Sequence, residues 1–303
     1  MTGSGSRARG VSYAASAFFL WGLFPLYWKQ LACVPSLQVV AHRTAWGFVA
    51  IAAWVSLQRR WPEARAVARQ PRTLGVLLAS ATLIGANWLL YVWAVTHDRV
   101  VEASLGYFLN PLVNVLLGVV VLRERLSRVQ SVAVSLAAVG VAVLTLGHGG
   151  FPWIAVALAA TFGCYGLLRK TVAAEALVGL LWETALLAPV GVVLLALAEA
   201  RGDGAFGHGA PHVSVLLALG GVVTAIPLVL FAHGARALPL STLGFLQYLS
   251  PSLQFLIGVF VYGERFTPAH VVTFACIWSA LALLTAELRR QLRPLPAATS
   301  RPA

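Results

Sequence analysis

The chain has 303 residues, of which 59% are hydrophobic and 11% charged, and it carries a net charge of +12. An ordinary soluble domain has roughly 25% charged residues and a polar face on each helix, so this composition excludes a soluble globular enzyme or binding module. Cys33, Cys164 and Cys276 fall in separate segments without metal-ligand or redox spacing, which predicts free buried thiols, no disulfide and no metal site.

In chain order, ten apolar runs are expected to cross a membrane. The first five are Val11–Trp28, Ser36–Leu57, Leu74–Thr96, Ala103–Leu122 and Val129–Leu146. The second five are Phe151–Leu168, Ala176–Ala198, Val213–Ala235, Leu240–Tyr262 and Val271–Ala286. Most reach the 18 or more residues that cross about 30 Å of hydrocarbon. Val11–Trp28 lacks a small-residue cleavage site and precedes nine further runs, so it reads as a span and not as a signal peptide.

Basic residues set the orientation. With the N-terminus inside, seventeen Lys and Arg fall on inside segments and four, Lys29, Arg99, Arg201 and Arg265, fall outside. That bias predicts both chain ends in the cytoplasm. The positive charge is therefore a topology signal and not a nucleic-acid surface, which would interleave Lys with aromatics on a soluble face.

One pattern is written twice. Lys29 and Lys170 lie 141 residues apart, as do His42 and Glu183. Pro111 and Pro251, Gly118 and Gly258, and Glu124–Arg125 and Glu264–Arg265 recur at a spacing of 140. Arg99 before Ser104–Gly106 is echoed by Arg236 before Thr242–Gly244. The repeat divides the chain into 1–147 and 148–288, with 289–303 as a disordered cytoplasmic tail. Each unit holds five spans, an odd number, so the second copy enters the membrane from the opposite side. The expected fold is all-α: a polytopic membrane protein of ten transmembrane helices in two inverted five-helix repeats. Such symmetry gives secondary carriers two comparable states, open to either side, around a midplane site.

The stretches Phe19–Lys29, Ala41–Arg43, Asn87–Tyr91 and Val101–Val113 in the first half, and Tyr165–Lys170, Leu238–Gly244 and Leu246–Pro251 in the second, carry a family likeness. From about Gly10 to Glu287 the chain resembles the RarD family, a branch of the EamA-type carriers in the drug/metabolite transporter superfamily. The resemblance implies ten helices, an inner (cell) membrane location and a central cavity. It does not imply a substrate. The surface segments Thr96–Asp98 and Arg201–His212 depart mildly from the family pattern.

Polar residues within apolar runs are costly unless they face protein or water. Glu183, read as an unpaired carboxylate about two turns into its helix, and His42 at the matching place in the first half are candidates for proton coupling. Arg43 beside His42 is shallow enough to snorkel outward or to hold an anionic group. Ser80, Asn87 and Tyr91 share one face of the third run; Tyr107, Pro111 and Asn114 share one face of the fourth, bordered by Asn110. In the ninth run Gln247, Pro251 and Gln254 align, with Tyr248 adjacent. Proline frees a backbone carbonyl, so matched Pro111 and Pro251 point to a midplane site. The expected cavity lining is Asn87, Tyr91, Tyr107, Asn110, Asn114, Gln247, Tyr248 and Gln254, with Trp21 as a wall. Trp28 is assigned to the interfacial belt, and Pro25 and Pro227 to hinges.

The expected activity is secondary transport of small organic solutes, amino-acid-like metabolites or drugs, by alternating access with proton coupling. No enzymatic activity, cofactor, metal or nucleic-acid partner is expected, because no GxxxxGK[ST], HExxH or GxSxG pattern occurs. The alternatives are an intramembrane enzyme acting on a lipid-like substrate and a passive channel. Small residues at four-residue spacing, Ala133 with Ala137 and Ala138 with Ala142, suit internal packing or a homodimer seam.

Overall fold

The computed structural model describes residues 3–123, 125, 127–148, 151–238 and 246–291, and these residues form helices without any strand. The helices are α1 (Gly3–Gly22), α2 (Phe24–Lys29), α3 (Ser36–Leu57), α4 (Trp61–Ala68), α5 (Pro71–Thr96) and α6 (Val100–Leu122). They continue as α7 (Arg128–His148), α8 (Trp153–Thr171), α9 (Ala176–Ala200), α10 (Pro211–Ala237), α11 (Leu249–Leu256), a π-helical turn (Ile257–Val261) and α12 (Pro268–Gln291). Among the described residues eight helical segments are long and apolar enough to cross a membrane. The shorter apolar helices Trp153–Arg169 and Leu249–Val261 fall where the sixth and ninth runs are expected. The first part of the ninth run, the repeat positions Glu124, Thr242 and Gly244, and tail residues 292–303 lie outside the described residues.

The outer surface is apolar: Val120, Leu146 and Phe260 are 75%, 85% and 77% exposed. Side chains like these are stable there only against hydrocarbon, which fits a multi-pass membrane protein. The chain makes its turns at two ends. At one, Lys29 meets Asp98 at 2.5 Å and Ser36 Oγ lies 3.2 Å from Thr96 Oγ1. At the other, Arg60 pairs with Glu175 and Trp182 Nε1 donates to the Ala64 carbonyl at 3.0 Å. This second contact seats α4, a helix within what the sequence presents as the loop Gln58–Thr73. Its Pro62 sits at the helix start, Glu63 takes the Arg60 guanidinium, and Ala64 and Val67 bury one apolar edge.

Helices from the two halves interleave. α3 packs along α9 and α7 along α12, while α1 packs on α10, α5 on α8, α6 on α8, α3 on α10 and α1 on α11. Small residues permit these approaches. A Cβ on Gly221 of α10 would lie 2.3 Å from the Trp46 backbone carbon of α3, and one on Gly106 of α6 would lie 2.8 Å from the Ala155 carbonyl oxygen of α8. Ala133 and Ala137 are buried against α12, where Thr273 Oγ1 donates to the Gly140 carbonyl at 2.8 Å. That stripe is internal packing. Ala138 and Ala142 are exposed.

Proline acts unevenly. The chain breaks between α1 and α2 just before Pro25, whereas α6 and α10 run on through Pro111 and Pro227. Trp28 is not in an interfacial belt; it is 1% exposed, with its ring edge-on to Phe24 at 5.9 Å. The thiols are free, but Cys33 is exposed and Cys164 and Cys276 are half-buried, because Cys33 falls in the turn after α2.

Candidate functional site

α3 enters the bundle from the Lys29 end and carries four buried polar residues within two turns, Gln38, His42, Arg43 and Thr44. Gln38 faces the loop between α9 and α10, donating from Nε2 to the Asp203 carbonyl at 2.8 Å and accepting from the Ala205 N–H at 3.1 Å. One turn further, the His42 ring stacks on Phe206 of the same loop, centroids 5.1 Å apart. His42 thus supports a docked loop at this end of the bundle.

Arg43 points elsewhere. It is 5% exposed, which rules out snorkelling to the surface. Its Cζ lies 4.2 Å from the Trp88 ring of α5, 5.1 Å from Trp28 and 6.0 Å from Phe24 of α2. Nε and Nη1 are buried without a hydrogen-bond partner, as are Trp28 Nε1 and the Tyr91 hydroxyl. Burying an ion costs several kcal/mol, while each ring face returns about 0.5 to 2 kcal/mol. Three faces therefore offset part of the cost, and among the described residues the guanidinium has no anionic counterpart.

Tyr91 of α5 and Tyr107 of α6 lie near Arg43. Tyr91 and Tyr107 meet edge-to-face at 5.6 Å, and the Tyr107 hydroxyl lies 3.5 Å from Asn87 Oδ1. Asn87 Nδ2 donates to the Leu158 carbonyl at 3.0 Å and to Thr161 Oγ1 at 2.9 Å, tying α5 to α8. Asn110 is buried with Oδ1 unpaired. Asn114 is not brought into this group. It is exposed beside Gly163 of α8, seven residues beyond Tyr107 and so about 10 Å along the helix.

The α11 residues form a second group. Gln254 is buried and donates from Nε2 to the Trp21 carbonyl at 3.2 Å. That carbonyl is the one Pro25 cannot serve, since proline has no N–H to give the residue four back. Gln254 therefore mends the α1–α2 break, while its Oε1 stays buried and unpaired. The Trp21 ring packs against Phe18 and Phe231, at 5.5 and 5.7 Å. Tyr248 stacks on Phe108 at 6.3 Å and is half-buried, as is the adjacent Gln247.

Glu183 lies on α9 toward the Arg60 end, and it is not unpaired. Ser80 donates to Oε1, the Tyr165 hydroxyl donates to Oε2 at 3.4 Å, and Arg169 Nε lies 3.7 Å from Oε1. The side chain is 1% exposed, so the carboxyl sits in a closed polar cluster drawn from α5, α8 and α9. Arg169, Trp28 and Trp88 are the residues that sequence reasoning missed. Arg169 was available as a basic residue closing an apolar run, but its role depends on Gly179, one turn before Glu183, where a Cβ would collide with its guanidinium.

The model of the EamA-like transporter family matches residues 8–146. An uncharacterized transporter of Vibrio cholerae is 43% identical over 279 residues, covering 92% of each chain. Protein RarD of Escherichia coli is 42% identical over 279 residues, covering 92% of this chain and 94% of that one. A solved crystal structure shares the fold at a TM-score of 0.55 and 21% identity, covering 94% of this chain and 99% of its own. With a multi-pass apolar helical bundle and relatives of this identity over nearly its full length, the chain belongs to the RarD family of EamA-type membrane transporters.

Proposed function

We propose that the chain is a secondary carrier that moves small organic solutes, amino-acid-like metabolites or drugs, by alternating access between two inverted five-helix repeats. Helix pairing carries the reading. A twofold axis in the membrane plane would map α3 onto α9 and α7 onto α12, so contacts α3–α9 and α7–α12 are each their own mate, and both occur. The same axis maps α1 on α10 to α8 on α5, α6 on α8 to α11 on α1, and α3 on α10 to α9 on α5, and each mate is present. The glycine and alanine seams between halves suit helices that slide or rock. Ten passes with both ends on the cytoplasmic side of the cell membrane accord with this pairing and with the basic-residue bias.

Asn87, Tyr91, Tyr107 and Asn110, with Tyr248 and Gln254 on the opposing repeat, are the residues we assign to the solute path. Aromatic faces and neutral amides suit small amphipathic molecules. Glu183, a buried carboxyl with hydroxyl partners and a cation beside it, is the site we assign to proton coupling. His42 serves the loop at the Lys29 end, so the two titratable groups lie apart, which weighs against joint acid–base chemistry on a lipid.

Flux of amino acids and amphipathic drugs into proteoliposomes, with and without an imposed pH gradient, tests this. Saturable counterflow is expected, accelerated by the gradient in the native chain but not in Glu183→Gln. Failure of every solute to show saturable counterflow removes the carrier reading. Native flux indifferent to the gradient removes proton coupling alone.

A further inference from the structure

We propose that the solute is an organic monoanion whose carboxylate is received by Arg43, with the aromatic body held by the rings of Phe24, Trp28 and Trp88. The assignment rests on the carrier reading for its physiological meaning, but on the geometry for its chemistry. Arg43 is buried on a membrane-spanning helix, and among the described residues no Asp or Glu pairs with it. Two of its nitrogens lack acceptors. Around it stand further groups in the same condition: Trp28 Nε1 and the Tyr91 hydroxyl are buried and unpaired, and the Tyr91 and Tyr107 oxygens lie within electrostatic reach of the guanidinium. The cluster is rich in donors and poor in acceptors. It lacks an acceptor that carries charge.

The number of charges selects the class of anion. A phosphate dianion would call for a second cation, and none of the described Lys, Arg or His pairs into this cluster; Lys29 is engaged with Asp98 and the Val95 carbonyl. One guanidinium matches one carboxylate by charge, and its planar edges suit a planar acceptor. The three rings around Cζ present mainly apolar surface, so they favour a carboxylate attached to an aromatic or branched apolar body over acetate-sized ions.

Thermal stabilisation of the full-length protein in detergent, in chloride-free buffer, supplies the test. Benzoate and N-acetyl-phenylalanine are compared with the neutral isosteres benzamide and N-acetyl-phenylalanine amide, and with sodium chloride. Both carboxylates should raise the melting temperature saturably, with half-saturation at least about tenfold lower than for their amides. The preference should vanish in Arg43→Gln and weaken in Arg43→Lys, which keeps charge but loses the planar edges. Should Arg43→Gln not fold, the carboxylate–amide comparison on the native chain decides by itself. Equal stabilisation by acids and amides, or by chloride as strongly as by benzoate, overturns the proposal. Counterflow of the neutral amides with no carboxylate preference would leave the carrier standing and this inference fallen. Carboxylate-specific stabilisation without counterflow of any solute would do the reverse.

Discussion

Arg169 reaches Glu183 only by lying across Gly179. The guanidinium occupies the space a side chain would take on that turn of α9, and its Nε comes within 3.7 Å of the Glu183 carboxylate. A glycine one turn ahead of a buried acid is thus a berth for the cation that partners it. Gly179→Ala would push aside the far end of a flexible side chain and not backbone, so its cost to folding should stay within about 1 kcal/mol. The pairing would be lost nonetheless. The expected result is a near-native melting temperature together with loss of the acceleration of flux by a pH gradient. Native acceleration in Gly179→Ala would show that the Arg169 contact is dispensable for coupling.

Helix approach between the halves makes a sharper stability prediction. At Gly221 an added Cβ meets the backbone of Trp46 and Gly47 at 2.3 and 2.5 Å, and backbone in a packed helix pair cannot step aside. At Gly47, across the same seam, an added Cβ meets nothing within 4 Å. Gly221→Ala should therefore destabilise by about 1 to 3 kcal/mol, while Gly47→Ala should be neutral or slightly stabilising through helix propensity. Melting curves of the two variants in one detergent decide it, and equal values would mean the α3–α10 contact is looser than described.

Spans were legible because twenty-odd apolar residues have one use, and the face of Ser80, Asn87 and Tyr91 was legible because offsets of seven and four return to one side of a helix. All three are buried as that periodicity requires. The Arg43 cage was not legible. Its walls come from residues 24, 28 and 88, which share no local spacing with residue 43, so only the pairing of α2, α3 and α5 brings them together. Trp28 was misplaced for a related reason: tryptophan near a helix end reads as interfacial unless the next helix covers it. The short α4 escaped because a polar, arginine-rich segment carries only two inward apolar residues, Ala64 and Val67. Gln254 was placed on the correct buried face, but its bond to the Trp21 carbonyl depends on a proline 229 positions earlier.

Gln38 holds the α9–α10 loop by both ends of one amide, at 2.8 and 3.1 Å. Gln38→Ala removes a donor and an acceptor together and leaves two backbone groups of the loop to find water, which the exposed Gly202 and Gly207 segments permit. The expected loss is about 1 to 2 kcal/mol, confined to that end of the molecule. Hydrogen exchange should rise over residues 203–206 while α3 itself stays protected. Unchanged protection of the loop would assign its position to the His42–Phe206 stack instead, which His42→Ala would then reveal.

Glu264 caps the start of α6, accepting from the Val100 and Val101 N–H groups at 2.7 and 2.8 Å. Burial pushes its carboxyl above the ordinary value of 4.5, outweighing those two N–H groups. A carboxyl raised by folding keeps its proton to higher pH in the native chain than in the unfolded one. Its contribution to stability is therefore complete below the unfolded value and is lost as pH rises through the raised one. The melting temperature of the native chain, measured against Glu264→Gln, should fall as pH rises from about 4.5 through the raised value. The amide cannot titrate, keeps one acceptor for the α6 N-terminus and serves as the flat reference. A difference that grows with pH would mean that the cap binds Glu264 as the carboxylate more tightly than burial penalises it.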